Sequence, residues 1–176
     1  NKYNIEFVSA NPTGPIHVGH SRGAIFGDVL SNLLKFNGNK VVKEYYINDY
    51  GNQIINFTKS VFLRLREIKH NEQFSDDPNL YPGLYVKDIA KEILKRRPNI
   101  NLKKFENIFN FLKKNSVMLS MNLIKEDLKK LGISHDNFTS ETDIVEKKFL
   151  NQIIKILKKR KIVINDYLEP PKGAEK

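Results

Sequence analysis

His17 and His20 stand three residues apart, with Gly19 between them, ahead of a stretch of periodic apolar residues. Two imidazoles at this spacing, at the mouth of a helix, can both donate hydrogen bonds to phosphate oxygens. The first amides of a helix have no internal partners, and the macrodipole places partial positive charge there, so phosphate binds such an end readily. Gly19 allows a bulky ligand to approach the backbone. Displacement at phosphorus needs little covalent help, and the main task is to stabilise charge on the non-bridging oxygens. Losing one well-placed donor of that kind costs about 10²–10³ in rate. A metal site at this pair would need a third ligand, and none lies nearby in sequence.

These side chains need a frame that holds them at an edge. Residues 2–9 read as a short strand, closed by the turn chemistry of Asn11-Pro12-Thr13-Gly14-Pro15. Pro12 and Pro15 forbid helix across this loop. A helix then starts near Gly19, with Ile25, Phe26, Val29, Leu30, Leu33 and Leu34 at helical spacing, and Asn37-Gly38 stops it. A second strand over Val41 to Ile47 leads to a polar turn, Asn48-Asp49-Tyr50-Gly51. Strand, helix, strand is the right-handed crossover unit of a parallel sheet, and ligands sit beyond the carboxyl ends of such strands. Both polar turns, residues 9–20 and 48–53, fall at that edge. In this setting a pair of ordinary turn histidines is the weaker reading of His17 and His20.

From Asn52 onward the pattern changes to amphipathic helices. The spacing predicts helices over about Asn52 to Lys69, Leu84 to Arg97, and Leu102 to Leu131, the last with a break near Ser116 and a stop at Gly132. An irregular loop spans residues 71–83. A short strand at Ile133 to Phe138, a helix at Ile144 to Lys161 and apolar turns from Ile162 to Leu168 follow. The reading is α/β, with three segments: residues 1–56 as the first half of a Rossmann-type domain, 57–168 as a mainly helical insertion with short strands, and 169–176 as a linker.

The formal net charge is +10, which suits a polyanionic partner. The lysines are spread rather than bunched, so compositional bias explains the charge equally well. There are no cysteines, which excludes disulfides and thiolate metal sites. No apolar run reaches the roughly 20 residues that cross a bilayer. The chain starts at Asn1 and stops in Glu-Pro-Pro-Lys-Gly-Ala-Glu-Lys. It therefore reads as a piece of a longer protein.

The segment Ser9-Ala10-Asn11-Pro12-Thr13-Gly14-Pro15-Ile16-His17-Val18-Gly19-His20 resembles the His-Ile-Gly-His signature of class I aminoacyl-tRNA synthetases, in the form found in bacterial arginyl-tRNA synthetases. Glu44-Tyr45-Tyr46-Ile47-Asn48-Asp49-Tyr50-Gly51-Asn52-Gln53-Ile54 is similar to a second segment of that family. Weaker likenesses are Tyr81-Pro82-Gly83 and Glu169-Pro170-Pro171-Lys172-Gly173. The resemblance implies a class I synthetase Rossmann-type sheet with a helical insertion. It implies a two-step reaction: arginine is activated by ATP, with Mg2+ as charge partner, and then passed to the terminal ribose of tRNA(Arg), with tRNA needed for the first step. It assigns His17, Gly19 and His20 to ATP, with the histidines catalytic, and Glu6, Ser9 and Asn11 to L-arginine. A carboxylate at Glu6 can accept a bidentate pair of bonds from the guanidinium fork. Strand alternation sets Glu6 and Ser9 on opposite faces, so a shared pocket requires the strand to end or twist before Ser9.

Asp49, Asn52 and Gln53 at the second turn either touch the substrates, support the pocket or simply cap the next helix. Some arginyl enzymes carry lysine at the position of Gly14 and lack a late lysine-rich loop, so Gly14 implies that the longer protein has that loop. The resemblance also implies a cytoplasmic, monomeric protein without zinc or membrane attachment, and a chain of this length that is inactive alone. The alternatives are another class I nucleotidyltransferase, a synthetase for another amino acid, and a basic helical RNA-binding module.

Overall fold

The computed structural model describes residues 1–147 and 149–164. Strand β1 covers Lys2–Glu6, helix α1 Val18–Phe36 and strand β2 Lys40–Ile47. Helices α2 (Asn52–His70), α3 (Leu84–Arg96) and α4 (Phe109–Lys130) follow, with a short 3-10 turn at Glu106–Ile108 before α4. Strand β3 is Asn137–Ser140, α5 is Glu141–Glu146 and α6 is Phe149–Lys159. The sheet has three strands in the order β1-β2-β3, parallel throughout, with Glu6 opposite Glu44 and Glu44 opposite Asn137. The α/β reading and the β-α-β unit hold.

Several boundaries differ from expectation. β1 stops at Glu6 rather than residue 9, because Val8 and Ser9 take left-handed backbone angles of φ 66° and 41°. The helix expected from Leu102 starts as α4 at Phe109 and runs unbroken through Ser116, which is buried. The last strand lies at Asn137–Ser140 instead of Ile133–Phe138: Ile133 drops into the core and Asp136 turns the chain back onto Lys43. The terminal helix is described as α5 and α6. Leu168 and the segment 169–173 fall outside the described residues.

Two apolar cores occupy the unit Asn1–Thr142, and a second unit begins at Asp143. One core packs α2, α3 and the first half of α4 around Phe57, Leu65, Val86, Ile93 and Leu112. The other lies under the sheet, where Phe7 and Tyr45 meet Ala24 of α1 and Met121, Ile124 and Leu128 of α4. α4 thus contributes to both cores and joins the helical layer to the sheet. α1 approaches the sheet on its small residues: a Cβ on Gly27 would come within 2.3 Å of the Phe7 ring. Its larger apolar residues face away, with Phe26 71% and Phe36 88% exposed. The periodicity that marked α1 as a helix therefore does not mark its core side.

The opposite sheet face carries Asn4, Glu6, Glu44, Tyr46, Asn137 and Thr139, by the strand alternation and register. The Glu44 carboxylate accepts hydrogen bonds from Asn4 and Thr139 and so pins all three strands; these bonds hold its pKa below the usual glutamate range. On the core face, buried Lys43 donates to Asp28 Oδ1 at 2.6 Å and Asn32 Oδ1 at 3.1 Å, which ties α1 to β2. A buried ammonium is tolerable only with such partners.

His135 donates from Nε2 to the Phe7 carbonyl at 3.2 Å and stacks on the Phe7 ring, at 4.3 Å between centroids. Burial pushes its pKa down; the bond to Phe7 and the carboxylates of Asp28 and Asp136 oppose this, and Lys43 adds to it. A base whose folded pKa is depressed binds fewer protons folded than unfolded. Its contribution to stability is present above the unfolded value of about 6.5 and is lost as pH falls through the folded one. Urea unfolding of the chain should therefore show declining stability below about pH 6.5, and His135→Gln, which keeps a donor for Phe7 but cannot titrate, should decline less. Equal slopes would exclude His135 as the source.

Candidate active site

The carboxyl edge of the sheet gathers the ends of β1 and β2 and the N-termini of α1 and α2. What happens just after Glu6 decides the geometry. Val8 is β-branched, and a left-handed φ is a strained state for it. The Ser9 amide bonds the Phe7 carbonyl at 3.0 Å, and the chain turns out of the sheet. Tyr46 of β2 then lacks a backbone partner on this side, and its N–H donates to Ser9 Oγ at 3.0 Å. The strand thus ends before Ser9, the condition under which Glu6 and Ser9 can serve one pocket. Tyr45, fully buried, donates from its hydroxyl to the Ala10 carbonyl at 2.8 Å and fixes the next residue. Burial raises that phenol far above its ordinary pKa, so it stays a donor.

Beyond this bend, Asn11 donates from Nδ2 to Gln53 Oε1 at 2.6 Å. That bond joins the two polar turns directly. The second turn leads into α2 through Gly51, whose φ of 88° suits glycine, and no side chain caps this helix. The capping reading of Asp49, Asn52 and Gln53 therefore fails. Asp49 instead accepts from the Ser140 hydroxyl at 2.7 Å and the Thr142 amide at 2.8 Å, which holds the end of β3 and the start of α5 against β2.

At the mouth of α1 the two histidines cap the helix reciprocally. Gly19 N–H donates to His17 Nδ1 at 3.1 Å, and His17 N–H donates to His20 Nδ1 at 3.3 Å. Their rings lie 3.8 Å apart between centroids. With both Nδ1 atoms accepting, each ring carries its proton on Nε2, leaving two N–H donors for a ligand. Burial, then the neighbouring His17, lowers the pKa of His20 and favours this neutral form. Gly19 has a local reason to be glycine, because a Cβ there would lie 2.9 Å from His17 Cε1.

Glu6 is exposed at the last position of β1. Two residues that sequence reading did not single out stand near it. The Tyr46 phenol is pushed up by burial, then by the charges of Glu141, Asp49 and Glu6. Counting two residues on from the register partner of Glu6 leads to Tyr46. Nothing in the sequence located Glu141 while β3 was placed too early. Among the described residues no group of three or more His, Cys, Asp or Glu side chains could hold a metal ion, and no helix is long and apolar enough to cross a membrane.

This edge carries two Nε2–H donors at the mouth of α1 and the exposed Glu6 carboxylate at the end of β1. The family described as "tRNA synthetases class I (R), catalytic domain" matches residues 1–167. The chain belongs to this arginyl-tRNA synthetase family. It is 56% identical over 175 residues to the arginine–tRNA ligase of Pelagibacter ubique (strain HTCC1062), covering 99% of the chain and 30% of that protein. It is 46% identical to that of Anaplasma phagocytophilum (strain HZ), covering 99% and 30%. A crystal structure of an arginyl-tRNA synthetase from Campylobacter jejuni superposes with a TM-score of 0.84 at 34% identity, over 94% of this chain and 36% of the other. The chain thus spans 30% of the length of these curated relatives. The three-stranded sheet is part of the class I synthetase catalytic fold.

The Ser9 contact can be tested by stability alone. Ser9→Ala leaves the Tyr46 amide without its acceptor, at a cost of about 1–3 kcal/mol. Ser9→Gly loses the same acceptor but removes the left-handed strain, so its urea midpoint should fall between Ser9→Ala and the parent. A neutral Ser9→Ala would mean that water replaces the hydroxyl.

Proposed function

We propose that this chain forms part of an enzyme that activates L-arginine with ATP and transfers it to tRNA(Arg). The observation that carries the reading is the pair of Nε2–H donors at the mouth of α1, at the same sheet edge as the exposed Glu6 carboxylate that ends β1. His17 and His20 donate to phosphate oxygens of ATP, and Gly19 keeps the helix mouth open to the nucleotide. Glu6 accepts the guanidinium of arginine, while Ser9 and Asn11 hold its amino and carboxylate ends. Ser9 Oγ accepts from Tyr46, and its hydroxyl proton is still available to a substrate. Gln53 supports Asn11, and Asp49 holds the end of β3 beside β2.

In the first step the arginine carboxylate attacks the α-phosphorus and pyrophosphate leaves. The histidine donors and Mg2+, carried on the nucleotide phosphates, offset the charge on the phosphate oxygens. The arginyl group then passes to the terminal ribose of the tRNA. A polar recess that pairs the guanidinium rejects amino acids without one, because its carboxylates are then left unpaired. Residues 1–56 form the first half of the catalytic domain in this reading, 57–168 the insertion facing the acceptor end, and 169–176 a connection onward. The enzyme is cytoplasmic and monomeric.

ATP–pyrophosphate exchange by the full-length gene product, with each amino acid in turn and with or without tRNA, tests this. Exchange should appear with arginine only and require tRNA, and this chain alone should give none. His17→Asn retains a side chain suited to capping the helix but removes the Nε2 donor, so exchange should fall by about 10²–10³ with little loss of stability. Exchange with another amino acid would overturn the role of Glu6. None with any would favour an RNA-binding module.

A further inference from the structure

The loop from Asn11 to His17 separates the residues assigned to arginine from those assigned to ATP, so its shape sets their distance. It contains little regular structure of its own; Thr13 N–H bonds the Asn11 carbonyl at 2.7 Å, and Pro12 is buried. Ile16 packs against the core under the sheet, and two hydrogen bonds hold the loop from other elements. One is the Asn11–Gln53 bond to α2. The other comes from α3: the Tyr85 hydroxyl donates to the Thr13 carbonyl at 2.8 Å, across 72 residues of sequence.

Tyr85 is closely fitted on both sides. A Cβ on Gly14 would lie 3.1 Å from its Cζ and Oη, and one on Gly83 would lie 2.4 Å from its Cε1. The two glycines therefore clear the space the ring occupies. The segment leading to Tyr85 is anchored on α2: Tyr81 N–H donates to Ser60 Oγ at 2.9 Å, Arg64 donates to the Pro82 carbonyl at 2.5 Å, and the Tyr81 ring meets Phe57 edge-on. Burial pushes the Tyr85 phenol up to about 12, so the hydroxyl keeps its proton at neutral pH.

We propose that Tyr85 is a positioning residue for the reaction, fixing the Asn11–His17 loop from the helical layer through its bond to the Thr13 carbonyl and its packing on Gly14. The inference rests on the functional reading above. The loop is built as a span with a histidine pair at one end, an amide at the other and a tether in the middle. Releasing the tether lets the ends move relative to each other while both ligand sets remain. The effect falls on alignment of the carboxylate with the α-phosphorus rather than on binding either substrate, and a misplacement of about 1 Å can cost about 10²-fold.

Tyr85→Phe keeps the ring and removes only the hydroxyl. In the full-length gene product, kcat for arginine-dependent exchange should fall by about tenfold or more, with KM for arginine and ATP within about twofold and Tm nearly unchanged. Gly14→Ala acts on the same contact, so the double variant should lose no more than the worse single one. Parent-level kcat in Tyr85→Phe, a loss that tracks Tm, or additive losses in the double variant would each overturn the proposal. Hydrogen exchange separates this from failure of the functional reading, because it needs no activity: the Gly14, Ile16 and His17 amides should exchange faster in Tyr85→Phe. Unchanged protection would overturn the tether even in a protein that activates no amino acid.

Discussion

The bond from the Tyr46 amide to Ser9 Oγ substitutes a side chain for a strand. A parallel ladder gives each edge amide an acceptor only while its neighbour continues, and β1 stops at Glu6. Without a replacement, the Tyr46 amide would be left unsatisfied in a half-buried position, and the favoured remedy would be two more residues of β1. That extension would carry Ser9 away from Glu6 and straighten the approach to Asn11. By accepting the orphan donor, the hydroxyl removes the incentive to extend and holds Val8 and Ser9 in backbone states they would otherwise leave. The Ala10 carbonyl bond to Tyr45, the Asn11–Gln53 bond and the entry to α1 all follow from that bend.

The same logic explains the two faces of the sheet. The core face must supply apolar surface to α1 and α4, and does so with Phe7, Tyr45 and Phe138. Its one charged member, Lys43, is matched by Asp28 and Asn32 on α1. On the other face the strands are joined by side chains, with Glu44 as the common acceptor. A face rich in carboxylates, amides and hydroxyls, with Val42 as an exposed apolar member, can receive a polar ligand without first being desolvated by its own packing.

What the sequence disclosed follows from how local each signal is. α1 and α2 were legible nearly to the residue, because helical periodicity and the Gly38 and Gly51 turns are encoded within a few positions. The His17–His20 pair and the Asn11 loop were legible as a motif on a strand-to-helix turn. The left-handed angles at Val8 and Ser9 were not, since neither residue type favours them and the partner that enforces them lies 37 residues away. β3 was shifted because Ile133 and Phe138 both look like strand residues, while only the pairing with β2 distinguishes a core-filling turn from a strand. Glu141 was missed for the same reason. Ser116 suggested a helix break by its type, yet it is buried within α4, where the helix continues unbroken. Tyr85 lay inside an unremarkable amphipathic helix, and its reach to Thr13 is a tertiary fact with no local trace.

A chain with a net charge of +10 nonetheless has a phenol, Tyr46, pushed up by the charges of Glu141, Asp49 and Glu6 as well as by burial. Range resolves the conflict. Charges separated from a ligand by more than about 8–10 Å of salty water are largely screened, so the spread lysines act as a weak, general attraction on a large polyanion and scarcely on a small cation. At short range a carboxylate such as Glu6 outweighs the distant lysines, and its effect strengthens as water leaves. One surface can therefore attract a polyanion over its whole extent and still favour a positive charge at a point. The arrangement needs the carboxylates to act at short range and the lysines to be spread, as they are along this sequence.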